Sequence, residues 1–346
     1  MKIRYSKPSA DIRFENQGQL ERNHALVERQ RSAAAHLKTG ESRSECLLCD
    51  APLASAEVFY HREIPFLLCN CCGHIQSLVI PPEGYPHSVS GGKTFSEVYP
   101  ALDPDAYMSR TQRIYQPKLQ WLLECLRDEG YSMERLQSMA WVDLGSGAGN
   151  FLQALEQMGI QNFRGLEADE NLVETANQRV RGQRTVLYNR PLCKSLQDYP
   201  ADIYSAIFVL EHIGRIQPFL EALRAMPSGT VLFFSVPVLG LSAFVEAAHQ
   251  DLFSKSLDGV LHTNLFTEES VRYAMNLADY EIKTQWVFGQ DVYNLIYSIQ
   301  IALHKTYPRV LTDLFAVKMD ALHDPLQAVM DQYGFADSRH IVAVKR

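Results

Sequence analysis

The residues with the clearest chemical meaning are a glycine-rich turn and an acid that follows it. The run GSGAG at 145–149 comes directly after a short apolar segment at 141–144, and Glu167 stands twenty-two residues after Gly145. Glycine lets the backbone approach a ligand closely because it has no Cβ, and a carboxylate accepts hydrogen bonds from ribose hydroxyls. A strand, a glycine turn and an acid at the end of a second strand are typical of a nucleotide site in a doubly wound α/β fold.

The details of the turn narrow the kind of ligand. A dinucleotide-binding turn has the pattern G-x-G-x-x-G, whereas this run continues as GSGAGN. A phosphate-binding loop continues into Gly-Lys-Ser/Thr, and this run does not. The turn therefore favours neither of those two ligand classes.

Two histidines and an acid follow the next predicted strands. Glu211 and His212 come directly after an apolar segment at 202–210, and His262 lies in the loop region after a second one at 228–237. Open α/β sheets bind ligands at the C-terminal ends of their strands, and histidine accepts a proton readily near neutral pH. We therefore predict Glu211, His212 and His262 as catalytic residues. For His212, packing against the ligand or capping the next helix fits the sequence equally well.

Five of the seven cysteines lie between positions 46 and 72, where they form two C-x-x-C pairs separated by nineteen residues. This spacing is typical of a structural zinc site, in which four thiolates form a tetrahedron and leave no open position for catalysis. The predicted ligands are Cys46, Cys49, Cys69 and Cys72. Cys71 breaks the spacing, and His74 is a less favoured replacement. Unrelated thiols or disulfides are the alternatives, although disulfides are rare in the cytoplasm.

Four segments, in order, resemble the class I S-adenosylmethionine-dependent methyltransferases. VDLGSGAGNFLQAL and GLEADENLVETA, at 142–155 and 165–176, resemble the first two motifs of that family. DIYSAIFVL at 202–210, together with Glu211-His212, resembles its fourth strand, and SGTVLFFSVP at 228–237 resembles its fifth. The resemblance covers roughly residues 140–290 and a last strand at 340–346. It implies an α/β, Rossmann-like, doubly wound sheet.

The resemblance also implies S-adenosylmethionine as cofactor and assigns residues to it. The glycine turn and Asp143 would hold the amino-acid end of the cofactor, Glu167 its ribose, and the next two residues would border its adenine. The implied cofactor residues are Asp143, Gly145, Ser146, Gly147, Glu167, Ala168 and Asp169. HTNLFT at 262–267 is similar to a segment that borders the acceptor pocket in related enzymes. A histidine with a carboxylate partner fits either oxygen methylation or removal of an acidic carbon proton.

The paired cysteines ahead of such a domain resemble the sugar C-methyltransferases, whose N-terminal zinc module helps to wall the substrate pocket. This implies a small-molecule acceptor, with a sugar or nucleotide-sugar from polysaccharide or natural-product biosynthesis as the leading expectation. Two alternatives belong to other classes. One is a protein or RNA methyltransferase whose zinc module docks the substrate, and the other is a non-catalytic scaffold that retains the fold.

The remaining chain must position these residues. We predict a polar N-terminal arm and helix over 1–40, a zinc-binding module over 41–80, a linker with covering helices over 81–135, and the methyltransferase domain over 136–346. Within them we expect a helical stretch over 104–128, which Pro117 kinks or divides. We also expect a strand over 281–288 and a helical insertion over about 291–335, interrupted by Pro308 and Pro325. The N-terminal arm is compatible with a homo-oligomer contact or a loose extension.

Bulk composition indicates an ordinary globular protein. The chain has 346 residues, 46% of them hydrophobic, and a net charge of −7. An acidic balance argues against a nucleic-acid partner, since such surfaces usually carry a basic excess. The start of the chain lacks the apolar core of a secretory signal, and the most apolar window, 231–248, contains a proline and polar residues that argue against a membrane span. We therefore expect a cytoplasmic protein without membrane contact.

Overall fold

The computed structural model describes residues 1–13, 19–53, 57–80, 103–252, 257 and 262–346. Residues 81–102, which form the first part of the predicted linker, lie outside this set.

The described residues form twelve strands in two sheets. The strands are β1 Lys2–Tyr5, β2 Val58–His61, β3 Ile64–Leu68, β4 Ile75–Ser77, β5 Trp141–Leu144, β6 Phe163–Glu167, β7 Thr185–Leu187, β8 Ile203–Ile207, β9 Val231–Pro237, β10 Asn264–Leu265, β11 Tyr280–Val287 and β12 Ser338–Lys345.

Fourteen α-helices accompany the strands within the same ranges. They are α1 Ala10–Arg13, α2 Gln19–Leu37, α3 Pro104–Arg110, α4 Gln116–Asp128, α5 Met133–Ser138, α6 Asn150–Gln157, α7 Glu170–Arg179, α8 Leu192–Asp198, α9 Gln217–Arg224, α10 Leu241–Ala248, α11 Glu268–Leu277, α12 Asp291–Thr306, α13 Arg309–Asp320 and α14 His323–Gln332. Within the described ranges, no helix combines the length and apolar character needed to cross a bilayer.

The large sheet has eight strands in the order β1-β11-β12-β9-β8-β5-β6-β7. Strands β9, β8, β5, β6 and β7 run parallel, whereas β12 is antiparallel to both of its neighbours. Every residue of β9 is buried, as expected for a central strand with both faces covered. The prediction of a doubly wound α/β sheet is confirmed. The strand order reverses between β5 and β8, and such a switch point opens a ligand crevice at the C-terminal ends of the two strands.

The first residues of the chain form an edge strand of this sheet. In the sequence analysis they belong to a polar arm, but Lys2–Tyr5 pairs in parallel with Thr284–Val287 of β11. The indole Nε1 of Trp286 donates to the Ser6 carbonyl at 2.9 Å. The sequence did not indicate this strand because it has only four residues, too few for their alternation to stand out in the polar segment around them.

The predicted helical stretch over 104–128 contains one irregular turn. α3 runs into a π-helical turn at Thr111–Tyr115, and α4 then begins with Pro117 in its first turn. Proline has no N–H to donate to the carbonyl four residues earlier, which here belongs to Arg113. The Nζ of Lys7 donates to that carbonyl instead. Pro117 therefore marks the boundary between the π turn and α4.

In the C-terminal helical stretch, only one of the two predicted proline breaks is observed. The break between α12 and α13 falls at Pro308, as predicted. Pro325, however, lies in the first turn of α14 rather than between two helices. Proline is tolerated there because the first N–H groups of a helix have no intrahelical acceptor.

The small sheet joins the cysteine-rich region to the larger domain. Its order is β10-β4-β3-β2, and β10 pairs antiparallel with β4 although some 190 residues separate them. Cys46 and Cys72 belong to the same apolar cluster as Leu232 and Phe234 of the large sheet. The cysteine-rich region and the large sheet therefore share one continuous core.

Candidate active site

The glycine turn leaves β5 with three residues in the left-handed region. Gly145, Gly147 and Gly149 have φ values of 65°, 53° and 81°, a region that favours glycine. A Cβ on Gly145 would lie 2.7 Å from a methyl carbon of Val209, and one on Gly149 would lie 3.0 Å from the Cβ of Ala176. The turn at Gly145 is therefore pressed against the segment after β8, and Gly149 packs against α7.

Glu167 is held at the end of β6 by backbone donors. Its side chain is buried, with 8% of the residue exposed. One carboxylate oxygen accepts from the N–H of Gly147 at 2.7 Å, and the other accepts from Ala168 at 2.8 Å and Asp169 at 3.0 Å. Burial raises the pKa of Glu167, while these three N–H groups act to lower it. The carboxylate is thereby fixed beside the glycine turn.

Asp143 lies in β5 opposite Ser205 of β8, on the two strands that flank the switch point. The hydroxyl of Ser205 donates to Oδ1 of Asp143 at 2.6 Å. Burial raises the pKa of Asp143 to about 7, although the bond from Ser205 acts in the opposite direction. Asp143 is thus an acid whose charge changes near neutral pH.

Ser146 is a buried residue whose hydroxyl has no hydrogen-bond partner among the described residues. Its backbone N–H donates to the Leu166 carbonyl at 3.0 Å, which ties the glycine turn to β6. A Cβ on Gly165 would lie 2.5 Å from the Ser146 oxygen. Gly165 therefore makes room for Ser146, a role that the sequence analysis did not recognise.

The two residues after Glu167 have structural contacts of their own. Asp169 is the N-cap of α7, and its side chain accepts from the N–H of Asn171 at 3.0 Å and of Leu172 at 3.4 Å. Ala168 contributes its backbone N–H to Glu167. Their assignment to the adenine rim stays a prediction, while the structure gives Asp169 a second, capping role.

The three predicted catalytic residues lie together. Glu211 and His212 occupy a 3₁₀ turn, Leu210–His212, just beyond β8. The rings of His212 and His262 have centroids 5.1 Å apart, and one nitrogen from each ring and a carboxylate oxygen of Glu211 all lie within 4.8 Å of one another. Glu211 is only 1% exposed, and burial raises its pKa to about 8. The charge of Lys118 acts to lower that pKa.

A hydrogen-bond bridge connects this turn to the cysteine-rich region. The side-chain amide of Asn264 donates to the Ile213 carbonyl at 2.7 Å, and its carbonyl oxygen lies 2.8 Å from Nε2 of His74. Both Asn264 and His74 are fully buried. From its sequence position His74 is only a less favoured zinc ligand, and nothing in the local sequence indicates its contact with Asn264.

Lys118 and His340 border the same end of the sheet, and the sequence analysis missed both. Nζ of Lys118 lies 4.9 Å from the ring centroid of Phe208, which follows β8 with a φ of 55°. Nδ1 of His340 lies 2.6 Å from the Ser235 hydroxyl, and burial lowers the pKa of His340 well below its usual value. These residues come from separate segments of the chain, so no local sequence motif predicts their contacts.

The four predicted metal ligands form one cluster. The sulfur atoms of Cys46 and Cys72 are 3.6 Å apart, and those of Cys49 and Cys69 are 3.7 Å apart. A tetrahedral zinc ion with Zn–S bonds of about 2.3 Å separates its sulfurs by about 3.8 Å. A disulfide would bring two sulfurs to about 2.05 Å. The spacing therefore fits a metal site, and Cys71 lies exposed outside the cluster.

The chain is similar to known methyltransferases. A family model described as "Methyltransferase domain" matches residues 107–285. The chain is 28% identical over 133 residues to trans-aconitate 2-methyltransferase from Rhizobium rhizogenes, a match that covers 38% of this chain and 49% of that protein. The chain thus spans about half the length of that curated relative.

Two solved structures illustrate the structural similarity. Magnesium protoporphyrin IX methyltransferase from Synechocystis PCC 6803, with bound SAH, is 16% identical and has a TM-score of 0.43, with 76% of this chain and 96% of that chain covered. A putative sarcosine dimethylglycine methyltransferase from Galdieria sulphuraria is 11% identical with a TM-score of 0.45, covering 73% and 97% of the two chains.

Proposed function

The chain belongs to the family of methyltransferase domains, and from that premise we propose that it transfers a methyl group from S-adenosylmethionine to a small-molecule acceptor. The observation that carries the proposal is the position of Glu167. This residue ends β6 and lies beside the glycine turn, which follows β5 at the switch point of the sheet. A buried carboxylate held by three backbone N–H groups is an oriented acceptor for ribose hydroxyls.

The residues around the turn would hold the rest of the cofactor. Asp143 and the hydroxyl of Ser146 would contact the amino-acid end, and the left-handed turn at Gly145 and Gly147 would allow close approach of the backbone. When bound, the cofactor supplies the reactive methyl group, and the protein mainly orients it. The acceptor atom forms a bond to the methyl carbon as the carbon–sulfur bond breaks, and the sulfur keeps the electron pair.

Proton removal from the acceptor would fall to the cluster of Glu211, His212 and His262. This role is supported by their position near the C-terminal end of β8, since open α/β sheets bind ligands at the C-terminal ends of their strands. Either histidine would take the proton, with Glu211 as its charged or hydrogen-bonding partner. This assignment fits both an acceptor hydroxyl and an acidic carbon.

The leading acceptor is a sugar or nucleotide-sugar. The cysteine-rich region ahead of the methyltransferase domain supports it, because this arrangement resembles the sugar C-methyltransferases. The name of the curated relative, trans-aconitate 2-methyltransferase, supports a small organic acceptor more generally. The residues alone select no particular sugar.

The cysteine cluster would hold one structural zinc ion through Cys46, Cys49, Cys69 and Cys72. Sulfur separations of 3.6 and 3.7 Å support this assignment. Four thiolates at these distances repel one another, so a divalent cation stabilises them in the ionised form. Four protein ligands complete the tetrahedron, and the role of the ion is therefore structural.

A calorimetric titration with S-adenosylhomocysteine tests the proposal. We expect one site per chain, and we expect Glu167→Gln to weaken binding at least about tenfold, as loss of a charged hydrogen-bond acceptor costs about 1.5–3 kcal/mol. Glu170→Gln, three residues away on an exposed position of α7, is the matched control and should bind normally. Saturable binding with equal affinity in both variants would show that Glu167 does not bind the cofactor. Absence of binding by the folded protein would favour the scaffold alternative.

A further inference from the structure

We propose that Glu211, His212 and His262 form a second metal site, which binds one divalent transition-metal ion beside the cofactor turn and is distinct from the cysteine cluster. The inference rests on the proposed function for its catalytic meaning, because the ion would hold the acceptor. Binding of the ion itself depends only on the three side chains.

The grouping of these side chains is the first observation. They come from a 3₁₀ turn after β8 and from the residue two positions before β10, yet their ligand atoms all lie within 4.8 Å of one another. Metal–ligand bonds of about 2.0–2.2 Å place neighbouring ligand atoms about 3 to 3.5 Å apart. Side-chain movements of about 1 Å would therefore close the three ligands on a single ion.

The carboxylate of Glu211 is the second observation. The residue is 1% exposed, and its Oε2 has no hydrogen-bond partner among the described residues. Its Oε1 lies 3.9 Å from Nε2 of His212, beyond hydrogen-bonding distance. Buried carboxylate oxygens are normally hydrogen-bonded or bound to a cation. An ion between Glu211 and the two rings would satisfy this oxygen.

The backbone that carries two of the three ligands is held by Asn264. The amide of Asn264 donates to the carbonyl of Ile213 at 2.7 Å and contacts the Glu211 carbonyl at 3.5 Å. Asn264 itself is held by His74 at 2.8 Å. These contacts hold the backbone of the turn that carries Glu211 and His212, so they limit the positions that the two side chains can reach.

The ligand chemistry selects the class of ion. Two imidazoles and one carboxylate suit Mn²⁺, Fe²⁺, Co²⁺ or Zn²⁺ better than Mg²⁺, which prefers oxygen ligands throughout. Three protein ligands leave coordination positions open for a substrate. The site thus differs in kind from the closed cysteine cluster.

The position of the site suggests what it does. Val209, two residues before Glu211, is the residue against which Gly145 packs. An ion at Glu211 would therefore lie on the acceptor side of the cofactor turn and bind an acceptor oxygen. With the ion bound, His212 and His262 are ligands and no longer the proton acceptors, and a hydroxyl on the ion would release its proton to water more readily. Its oxygen would then form the O–CH₃ bond as the S–CH₃ bond of S-adenosylmethionine breaks, giving a methyl ether and S-adenosylhomocysteine.

The test is a titration with Mn²⁺ of the full chain that carries a single zinc ion, in the cysteine cluster, followed by electron paramagnetic resonance. We expect one Mn²⁺ per chain, with affinity reduced at least about tenfold in Glu211→Gln and in His262→Gln. His249→Gln, on an exposed position after α10, is the matched control and should bind as the unaltered protein does. Zinc content and thermal unfolding, measured in every variant, show that each is folded and that the cysteine cluster stays loaded.

The outcomes separate this inference from the proposed function. Absence of stoichiometric Mn²⁺ binding, or unchanged binding in folded Glu211→Gln, would overturn the metal site while leaving S-adenosylhomocysteine binding intact. Conversely, Mn²⁺ bound at this site by a protein that fails to bind S-adenosylhomocysteine would preserve the metal site and overturn the proposed function. If both hold, chelation of the second ion should reduce methyl transfer without weakening cofactor binding.

Discussion

Asp143 is a buried acid of β5 that lies opposite Ser205 of β8, and its ionisation should affect cofactor binding. Its pKa of about 7 means that the carboxyl loses its charge as the pH falls through neutrality. The amino-acid end of S-adenosylmethionine carries an ammonium group, which favours the ionised acid. We therefore expect affinity for S-adenosylhomocysteine to fall up to about tenfold from pH 8 to pH 6, in proportion to the ionised fraction.

Asp143→Asn provides the control, because the amide is close in shape and does not titrate. It should bind more weakly and lose the pH dependence, and a similar pH profile in both proteins would show that another group titrates. The free energy of unfolding changes with pH in the opposite direction to the binding affinity. The folded-state pKa lies above the ordinary value of 3.8, so the contribution of Asp143 to stability declines as the pH rises from about 4 to about 7.

Residues that belong to a continuous motif could be predicted from the sequence, and residues that act through distant partners could not. Gly145, Gly147 and Glu167 lie within a short stretch whose spacing carries the signal, and the structure places them together. The pairing of Ser146 with Gly165 needed the neighbouring strand to be known. His340 lies in β12, far from Ser235 in sequence, so no motif spacing could have predicted their contact.

At the scale of elements, the bridge through Asn264 makes β10 the support of the turn that carries Glu211 and His212. Asn264→Ala would leave a buried carbonyl of Ile213 and a buried ring of His74 without their partner. We expect a loss of about 1–3 kcal/mol in unfolding free energy. We also expect a several-fold lower kcat for methyl transfer and an unchanged affinity for S-adenosylhomocysteine.

Denaturant unfolding and steady-state kinetics at several acceptor concentrations would check this prediction. Asn276→Ala, on an exposed position of α11, is the comparison and should behave as the unaltered protein does. Equal loss of kcat in the two variants would contradict a positioning role for Asn264. Asn264→Asp, which keeps an acceptor for His74 but loses the donor to Ile213, should fall between them.

Element type was predictable wherever apolar periodicity was strong, but the details of turns were not. The strand predicted over 281–288 is observed at Tyr280–Val287. The start of α11 lacks the usual Glu or Gln of a capping box, yet Ser270 accepts from the Thr267 N–H at 2.8 Å and completes it. In the π turn before Pro117, the Arg113 carbonyl accepts from the distant Lys7, a contact that helix propensity alone does not predict.

At the scale of the whole molecule, the shared core predicts that the proposed zinc site stabilises the entire chain. Cys46 and Cys72 pack in the same apolar cluster as the strands of the large sheet. Removal of zinc by a chelator should therefore lower the single unfolding temperature of the chain and weaken S-adenosylhomocysteine binding at the same time. Differential scanning calorimetry with and without chelator would measure this.

Cys71→Ser is the control for the cysteine cluster, because Cys71 is exposed and lies outside it. It should keep one zinc and the normal transition, whereas Cys49→Ser should lose zinc. Two separate transitions, with only the first sensitive to chelator, would instead show that the cysteine-rich region folds independently. The class of fold and the family were predicted correctly, but the shared core was not, because it joins residues far apart in sequence.

The position of β12 has a consequence for the protein as it is synthesised. This strand lies between β9 and β11, and its eight residues, Ser338–Lys345, are synthesised after both of those neighbours. Until they arrive, β9 and β11 cannot be joined, and β1, which pairs with β11, is separated from the sheet centre as well. Until β12 has been made, a nascent chain therefore exposes two unpaired strand edges, and such edges promote aggregation. Termination of synthesis before β12 would leave a protein whose glycine turn is complete and whose large sheet is divided.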